Sequence, residues 1–210
     1  MLRFENKVAL VTGGSRGIGE GVVREFVKAG ARVAFCARGV VAGHALENEL
    51  NQKGPGECFF IQCDVREEIQ IKIALPHLRK TNGNIINVSS HVAKMGELSS
   101  IPYISTKGCI DGMTKAMAVD EAKYHVRVNS VSPGNIWTPL WKEVADSSVD
   151  PEAMIKDGEE SQLCGRFGTI EEAGKMCLFV AADATFCTGN DFLFTGGAEL
   201  GYGRKTQIKP

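Results

Sequence analysis

Apolar positions along this chain fall into short runs, and segments with helical spacing separate them from end to end. Lys7–Thr12, Arg32–Cys36, Cys58–Gln62, Ile85–Val88, Val126–Val131 and Asp191–Phe194 are each four to six residues long, which predicts strands. Helices are predicted from Glu20 to about Lys28, from Glu67 to Lys80, from the Tyr103 region to about Lys123, and from Ile170 to Ala182. Polar, Gly-containing sequence between Trp141 and Gly168 reads as a loop with short helices. Strands alternating with helices give an α/β fold with a mostly parallel sheet in a single domain over 1–210.

The first strand runs directly into Gly13-Gly14-Ser15-Arg16-Gly17-Ile18-Gly19, and a helix follows. Glycines at these spacings allow a tight turn and close backbone approach to a pyrophosphate, which the helix N-terminus attracts with its N–H groups and dipole. A glycine turn alone says little. The order strand, turn, helix, strand makes Gly13, Arg16, Gly17, Ile18 and Gly19 a candidate dinucleotide site.

A second constellation supplies acid–base chemistry. Tyr103 and Lys107 are four residues apart, hence on one face of a helix, and Ser90 ends an apolar strand. A phenol titrates near 10 when free, and a fixed ammonium nearby favours its anion. With Ser90 bonding the same oxygen as Tyr103, the set suits reversible exchange of an alcohol and a ketone. His91 and Glu97 lie close by, and a loop role without catalysis suits His91 better.

Composition narrows the partners. A net charge of −1 offers no electrostatic case for nucleic acid or a membrane surface. No apolar run approaches a spanning length, and the first strand starts too near Met1 to leave a signal peptide. Seven cysteines without zinc-like pairing point away from a disulfide framework and from a metal site, and toward a reducing cytoplasm.

Thr12-Gly13-x-x-x-Gly17-x-Gly19, the Ser90/Tyr103/Lys107 set and Pro133-Gly134 together resemble the short-chain dehydrogenase/reductase family over nearly the whole chain. Asn135–Trp141 and the tail Thr195–Gly203 resemble its hydroxysteroid dehydrogenases. The resemblance implies a Rossmann-like, doubly wound parallel sheet, a 17-beta-hydroxysteroid or similar apolar, steroid-like substrate, and a homo-oligomer, tetrameric in relatives. It makes Tyr103 the acid/base, gives Lys107 the ribose and the tuning of Tyr103, and gives Ser90 the carbonyl. It also places Asp64 and Val65 at the adenine, folds Ile136, Thr138 and Leu140 over the nicotinamide, and puts Trp141 and Tyr202 on the substrate pocket, within a substrate loop near 137–168.

Cofactor choice reads two ways. Relatives select NAD through an Asp at the position of Ala37, whereas Arg38 and Arg16 here suit the 2′-phosphate of NADP. Arg38 as a solvated surface residue is the alternative, so both NAD and NADP stand.

One departure bears on activity. Only 25 residues lie between Asp64 and Ser90, where the family places another strand with an Asn-Asn-Ala-Gly signature, a preceding helix and a long following one. A single βαβ unit takes about 30 residues or more, so the family's fourth strand and its flanking helices do not fit, as after an internal deletion following Val65. An Asn that supports the active-site helix in relatives has no counterpart here. Two readings follow: an NAD(P)-dependent oxidoreductase, or an inactive shortened variant that acts only as a subunit or not at all.

Overall fold

A computed structural model describes residues 2–66 and 74–200. Its strands are β1 (Val8–Thr12), β2 (Arg32–Ala37), β3 (Glu57–Gln62), β4 (Asn84–Val88), β5 (Arg127–Pro133) and β6 (Asp191–Phe194). Its helices are α1 (Gly17–Lys28), α2 (Val40–Lys53), α3 (Ala74–Lys80), α4 (Val92–Met95), α5 (Ile101–Glu121), α6 (Pro139–Asp146), α7 (Pro151–Glu160) and α8 (Ile170–Ala182). Every strand pairing among them is parallel, and the chain divides into two compact units.

The first unit takes residues 1–77 and 170–185 and holds the sheet β1-β2-β3. Val23, Phe26 and Val27 recur at helical spacing on α1 and are buried, as are Val33 and Phe35 on β2. Gly43 of α2 lets that helix close on Phe60 of β3, whose ring a Cβ at Gly43 would meet at 2.3 Å. Helices α1 and α8 touch backbone to backbone: a Cβ on Gly21 would lie 1.9 Å from the Ile170 oxygen, and one on Gly174 would lie 2.3 Å from the Gly21 oxygen. On the sheet's other face Val8 is 71%, Leu10 57% and Phe59 63% exposed.

The second unit, 78–169 with 186–210, holds the sheet β4-β5-β6. The central strand β5 is buried from Val128 to Pro133. Ala118 of α5 forms a core with Val126 and Val128, and Leu78, Ile85 and Met117 pack against it. Arg79 donates two bonds to the buried Glu121 carboxylate at 2.7 and 2.6 Å. Helices α6 and α7 start on side-chain caps, the Thr138 oxygen accepting from the Trp141 N–H and Asp150 from the Ala153 N–H.

The strand readings hold to within a residue or two at their ends. Helix α1 begins at Gly17, ahead of the expected Glu20, because Gly17 and Gly19 belong to its first turn. Helix α2 has no counterpart among the expected elements: only Gly43, Leu46 and Leu50 are buried along it, so its apolar stripe is thin. Of the helix expected over 67–80, the part from Ala74 onward is described and the rest lies outside the described residues. No helix among the described residues is long and apolar enough to cross a membrane.

Candidate functional site

The glycine turn is built by the first sheet. Gly13 and Gly14 N–H groups both donate to the Cys36 carbonyl, at 2.8 and 3.2 Å, which ties the turn to the end of β2. Gly13 and Gly17 adopt positive φ, 70° and 60°. A Cβ on Gly19 would sit 2.3 Å from the Gly13 oxygen, so the turn closes on itself only because residue 19 lacks one. Arg16 is the N-cap of α1, extended and without a side-chain cap bond, and Ile18 is half-buried in the first turn. The first N–H groups of α1 thus meet no capping side chain from Arg16. A cradle of this form fits the pyrophosphate of a dinucleotide.

Arg38 follows β2 and is exposed. Asp64, beyond β3, is taken by Arg66: Nε donates at 3.1 and 3.0 Å to its two oxygens, Nη2 at 2.5 Å, and the Arg66 N–H at 3.1 Å. These bonds, with the charges of Arg66 and Arg38, hold the Asp64 carboxyl down at about 2. The residue expected at the adenine is therefore already paired within its own loop, and the charges of Arg38, Asp64 and Arg66 share this end of the sheet. Val65 is exposed beside them. Neither Arg66 nor its pairing was an expectation of the sequence, although an Asp and an Arg two residues apart carried the signal.

In the second unit β4 and α5 are stitched together near the residues expected to be catalytic. The Lys107 ammonium donates to the Val88 carbonyl at 3.0 Å, and the Ser89 hydroxyl donates to the Lys107 carbonyl at 3.0 Å. Ser90, the next residue, is buried. Its neighbours Ser89 and His91 donate their N–H groups to Val131 and Pro133, which extends the β4–β5 pairing past Val88. The His91 ring lies 3.1 Å from the Pro133 carbonyl, a structural contact. Lys107 Nζ stands 5.7 Å from the centre of the Tyr103 ring, and Tyr103 is 49% exposed. Burial pushes the Lys107 ammonium below its ordinary range, and the Asp111 carboxylate opposes that shift. The unit thus places Ser90, Tyr103 and Lys107 at one end of β4 and the first turns of α5.

The loop expected over the nicotinamide is firmly packed. Ile136 is buried and bridges to Gly168. The Asn135 side-chain amide donates to Gly158 and Ser161 at 2.9 Å, while the Asn135 backbone N–H donates to Gln162 at 2.8 Å. Thr138 caps α6, and Leu140 is exposed. Trp141 packs edge-on against Phe167 at 4.8 Å, with Trp137 on the same ring at 5.2 Å. Tyr202 lies outside the described residues. Among the described residues no His, Cys, Asp or Glu cluster is arranged to hold a metal ion, and all seven cysteines are free thiols.

Two family models match the chain, one described as short chain dehydrogenase over residues 7–75 and one as enoyl-(acyl carrier protein) reductase over 70–199. The L-fucose dehydrogenase of Bos taurus is 42% identical over 256 alignment positions, covering 97% of this chain and 93% of that protein. That of Rattus norvegicus is 43% identical over 251 positions, with 97% and 93% covered. Among solved structures, L-sorbose reductase from Gluconobacter frateurii, complexed with NADPH and L-sorbose, superposes with a TM-score of 0.84 at 23% identity, covering 94% of this chain and 98% of that one. A short-chain type dehydrogenase/reductase from Mycobacterium marinum gives 0.79 at 28% identity, with 94% and 97% covered. The chain belongs to the short-chain dehydrogenase/reductase family, oxidoreductases of the alcohol/ketone type that use NAD or NADP.

Proposed function

We propose that this chain oxidises a secondary hydroxyl of a sugar-like substrate, or reduces the corresponding ketone, with Ser90, Tyr103 and Lys107 as its working groups. The observation that carries the reading is the stitching of α5 to β4: Lys107 to Val88 and Ser89 to Lys107 fix the helix bearing Tyr103 beside Ser90. The nicotinamide cofactor, when bound, supplies or accepts the hydride. Ser90 would orient the substrate oxygen, Tyr103 would take its proton on oxidation and return it on reduction, and Lys107 would favour the Tyr103 anion. A sugar-like substrate is supported by the two L-fucose dehydrogenases at 42 and 43% identity. The steroid reading rests on Asn135–Trp141 and the tail from Thr195, of which Trp141 is committed to packing on Phe167. Arg38 and Arg16 support NADP, whereas the Arg66 guanidinium is already paired with the Asp64 carboxylate.

The second reading is a shortened, inactive form, and particular observations favour it. The alignments run over 256 and 251 positions although the chain has 210 residues. Among the described residues β1 has one partner strand, β2, and the sheet face carrying Val8, Leu10 and Phe59 is open. An internal deletion after Val65 accounts for all three. One experiment separates the readings: thermal unfolding of the purified protein with and without NAD(H) and NADP(H), followed by turnover with L-fucose and a 17-beta-hydroxysteroid. A midpoint raised several degrees by NADP(H), with turnover of L-fucose lost in Tyr103→Phe, is the expected outcome. A cooperative transition that no cofactor shifts, without turnover, establishes the inactive form. Sedimentation of the same sample reads whether it is a homo-oligomer, and cell fractionation tests the cytoplasmic placement that seven free thiols support.

A further inference from the structure

Ser90 and Tyr103 are joined by a connection that holds one short helix, α4, with little of it buried. Of the four residues Val92–Met95 only Val92 is buried, and beyond them Leu98 is 93% exposed. A single helical turn does not hold itself together in isolation, so α4 keeps its place through contacts with other elements. Its backbone closes on Ser90 itself: the Ala93 N–H donates to the Ser90 carbonyl at 3.1 Å, and the Lys94 and Gly96 N–H groups donate to the His91 and Val92 carbonyls at 2.9 and 2.8 Å. Its side-chain anchor is Lys94. The Lys94 ammonium donates to Asp111 Oδ2 on α5 at 2.7 Å and stands 3.1 Å from Asp191 Oδ2 on β6. The Asp111 and Asp191 side chains are only 12% and 14% exposed. Asp191 is itself held from β5, its Oδ1 accepting from the Ser130 and Ser132 hydroxyls at 2.8 and 2.7 Å. One ammonium therefore pins the turn that follows Ser90 to the helix that carries Tyr103 and Lys107. Through Asp191 it also ties that turn to β5, the strand that pairs with β4.

We propose that Lys94 is a positioning residue for Ser90: by bonding Asp111 and pairing with Asp191 it locks α4 against α5, and so fixes the Ser90 backbone relative to Tyr103. The inference rests on the roles given above to Ser90 and Tyr103. Two carboxylates share the ammonium, and one of them is braced from β5, so the anchor is tied to the sheet as well as to α5. Asp111 Oδ1 and Asp191 Oδ2 are buried without hydrogen bonds of their own, and the Lys94 ammonium is the charge set against both carboxylates. The Ser89 and His91 N–H groups hold the end of β4 to β5; Lys94 holds the turn beyond it.

The first readout needs neither substrate nor cofactor. Amide hydrogen exchange is followed by NMR in the wild type, Lys94→Met and Lys94→Arg. In Lys94→Met the amides of residues 93, 94 and 96 exchange faster by about tenfold or more, while the Val128 and Ser130 amides of β5 keep their protection. Lys94→Arg, which keeps the charge and the donors, stays close to wild type. The second readout is turnover of L-fucose. In Lys94→Met kcat falls by about tenfold or more while KM for NADP holds, and in Lys94→Arg kcat recovers. Unchanged exchange at residues 93, 94 and 96 in Lys94→Met, or an equal rise in β5, overturns the proposal. A local rise in exchange with kcat intact overturns it too. Should Lys94→Met not fold, Asp111→Asn, which leaves Lys94 with Asp191 alone, is read by the same two measures. Absence of turnover in the wild type would sink the proposed activity, while the exchange still decides whether Lys94 holds the turn after Ser90.

Discussion

Asp64 shows how a single side chain can carry two competing jobs. As a carboxylate beyond β3 it has the place expected for an adenine acceptor, yet Arg66 donates to both of its oxygens. Any ligand that uses Asp64 must share it with a guanidinium already in place. The pairing holds the Asp64 carboxyl down at about 2, against about 3.9 for a free Asp. The sign follows from linkage. A carboxyl depressed in the folded state contributes stability above its unfolded value and loses it as pH falls through about 2. Arg66→Ala removes the first and largest cause of the depression. We expect the Asp64 resonance in a carboxyl NMR titration to move up toward about 3.9 in that variant, with Arg38 retaining part of the effect. An unchanged midpoint would show that Arg66 does not hold Asp64 in solution. Because the pair is exposed, the global unfolding midpoint should hardly move.

At the level of elements, the tightest demand falls on the crossing of α1 and α8. Gly21 and Gly174 present bare backbone to each other and to Ile170, at hypothetical Cβ distances of 1.9 and 2.3 Å. Those obstacles are backbone oxygens, which cannot swing aside as a flexible side chain can. Gly21→Ala should therefore push the helices apart and destabilise the first unit by about 1–3 kcal/mol, read as a lower urea midpoint. Gly112, with nothing within 4 Å of a Cβ in mid-α5, is the control: Ala there should be neutral or stabilising. How far such elements were legible in sequence depended on the strength of their patterning. The six strands, α8 and the glycine turn announced themselves by apolar runs and by Gly13, Gly17 and Gly19. Ser90, Tyr103 and Lys107 were legible as a spacing, and the structure stitches the two elements that carry them together. Helix α2 was not legible, because three buried positions do not make a stripe. The contacts of Lys94 with Asp111 and Asp191 were not legible, because the three residues arrive from α4, α5 and β6. No spacing rule encodes the bonds of Ser130 and Ser132 to Asp191, which the parallel register of β5 and β6 creates.

At the scale of the whole molecule, the parallel sheet of the first unit has helices on one face only, among the described residues. Parallel sheets are normally covered on both faces, because their strands are apolar on both. In the first unit, α1 and α2 cover the face that buries Val33, Phe35, Cys58 and Phe60. The other face shows Val8, Leu10 and Phe59 to solvent, with Ile61 beside them. Val8 and Leu10 on β1 and Phe59 and Ile61 on β3 flank the central strand β2, whose Ala34 lies between Leu10 and Phe59 in the register, whereas scattered exposed residues would carry no meaning. A patch of this kind should bind an apolar dye in the native state. We expect anilinonaphthalene sulfonate fluorescence to rise on addition of folded protein well below its unfolding temperature. Phe59→Ser with Leu10→Thr should lower that signal severalfold without lowering the unfolding midpoint, since neither side chain lies in the core. Dye binding that survives both substitutions would mean that this face is not the apolar surface of the molecule. Loss of dye binding with an unchanged midpoint would show that this face is exposed surface and not part of the covered core.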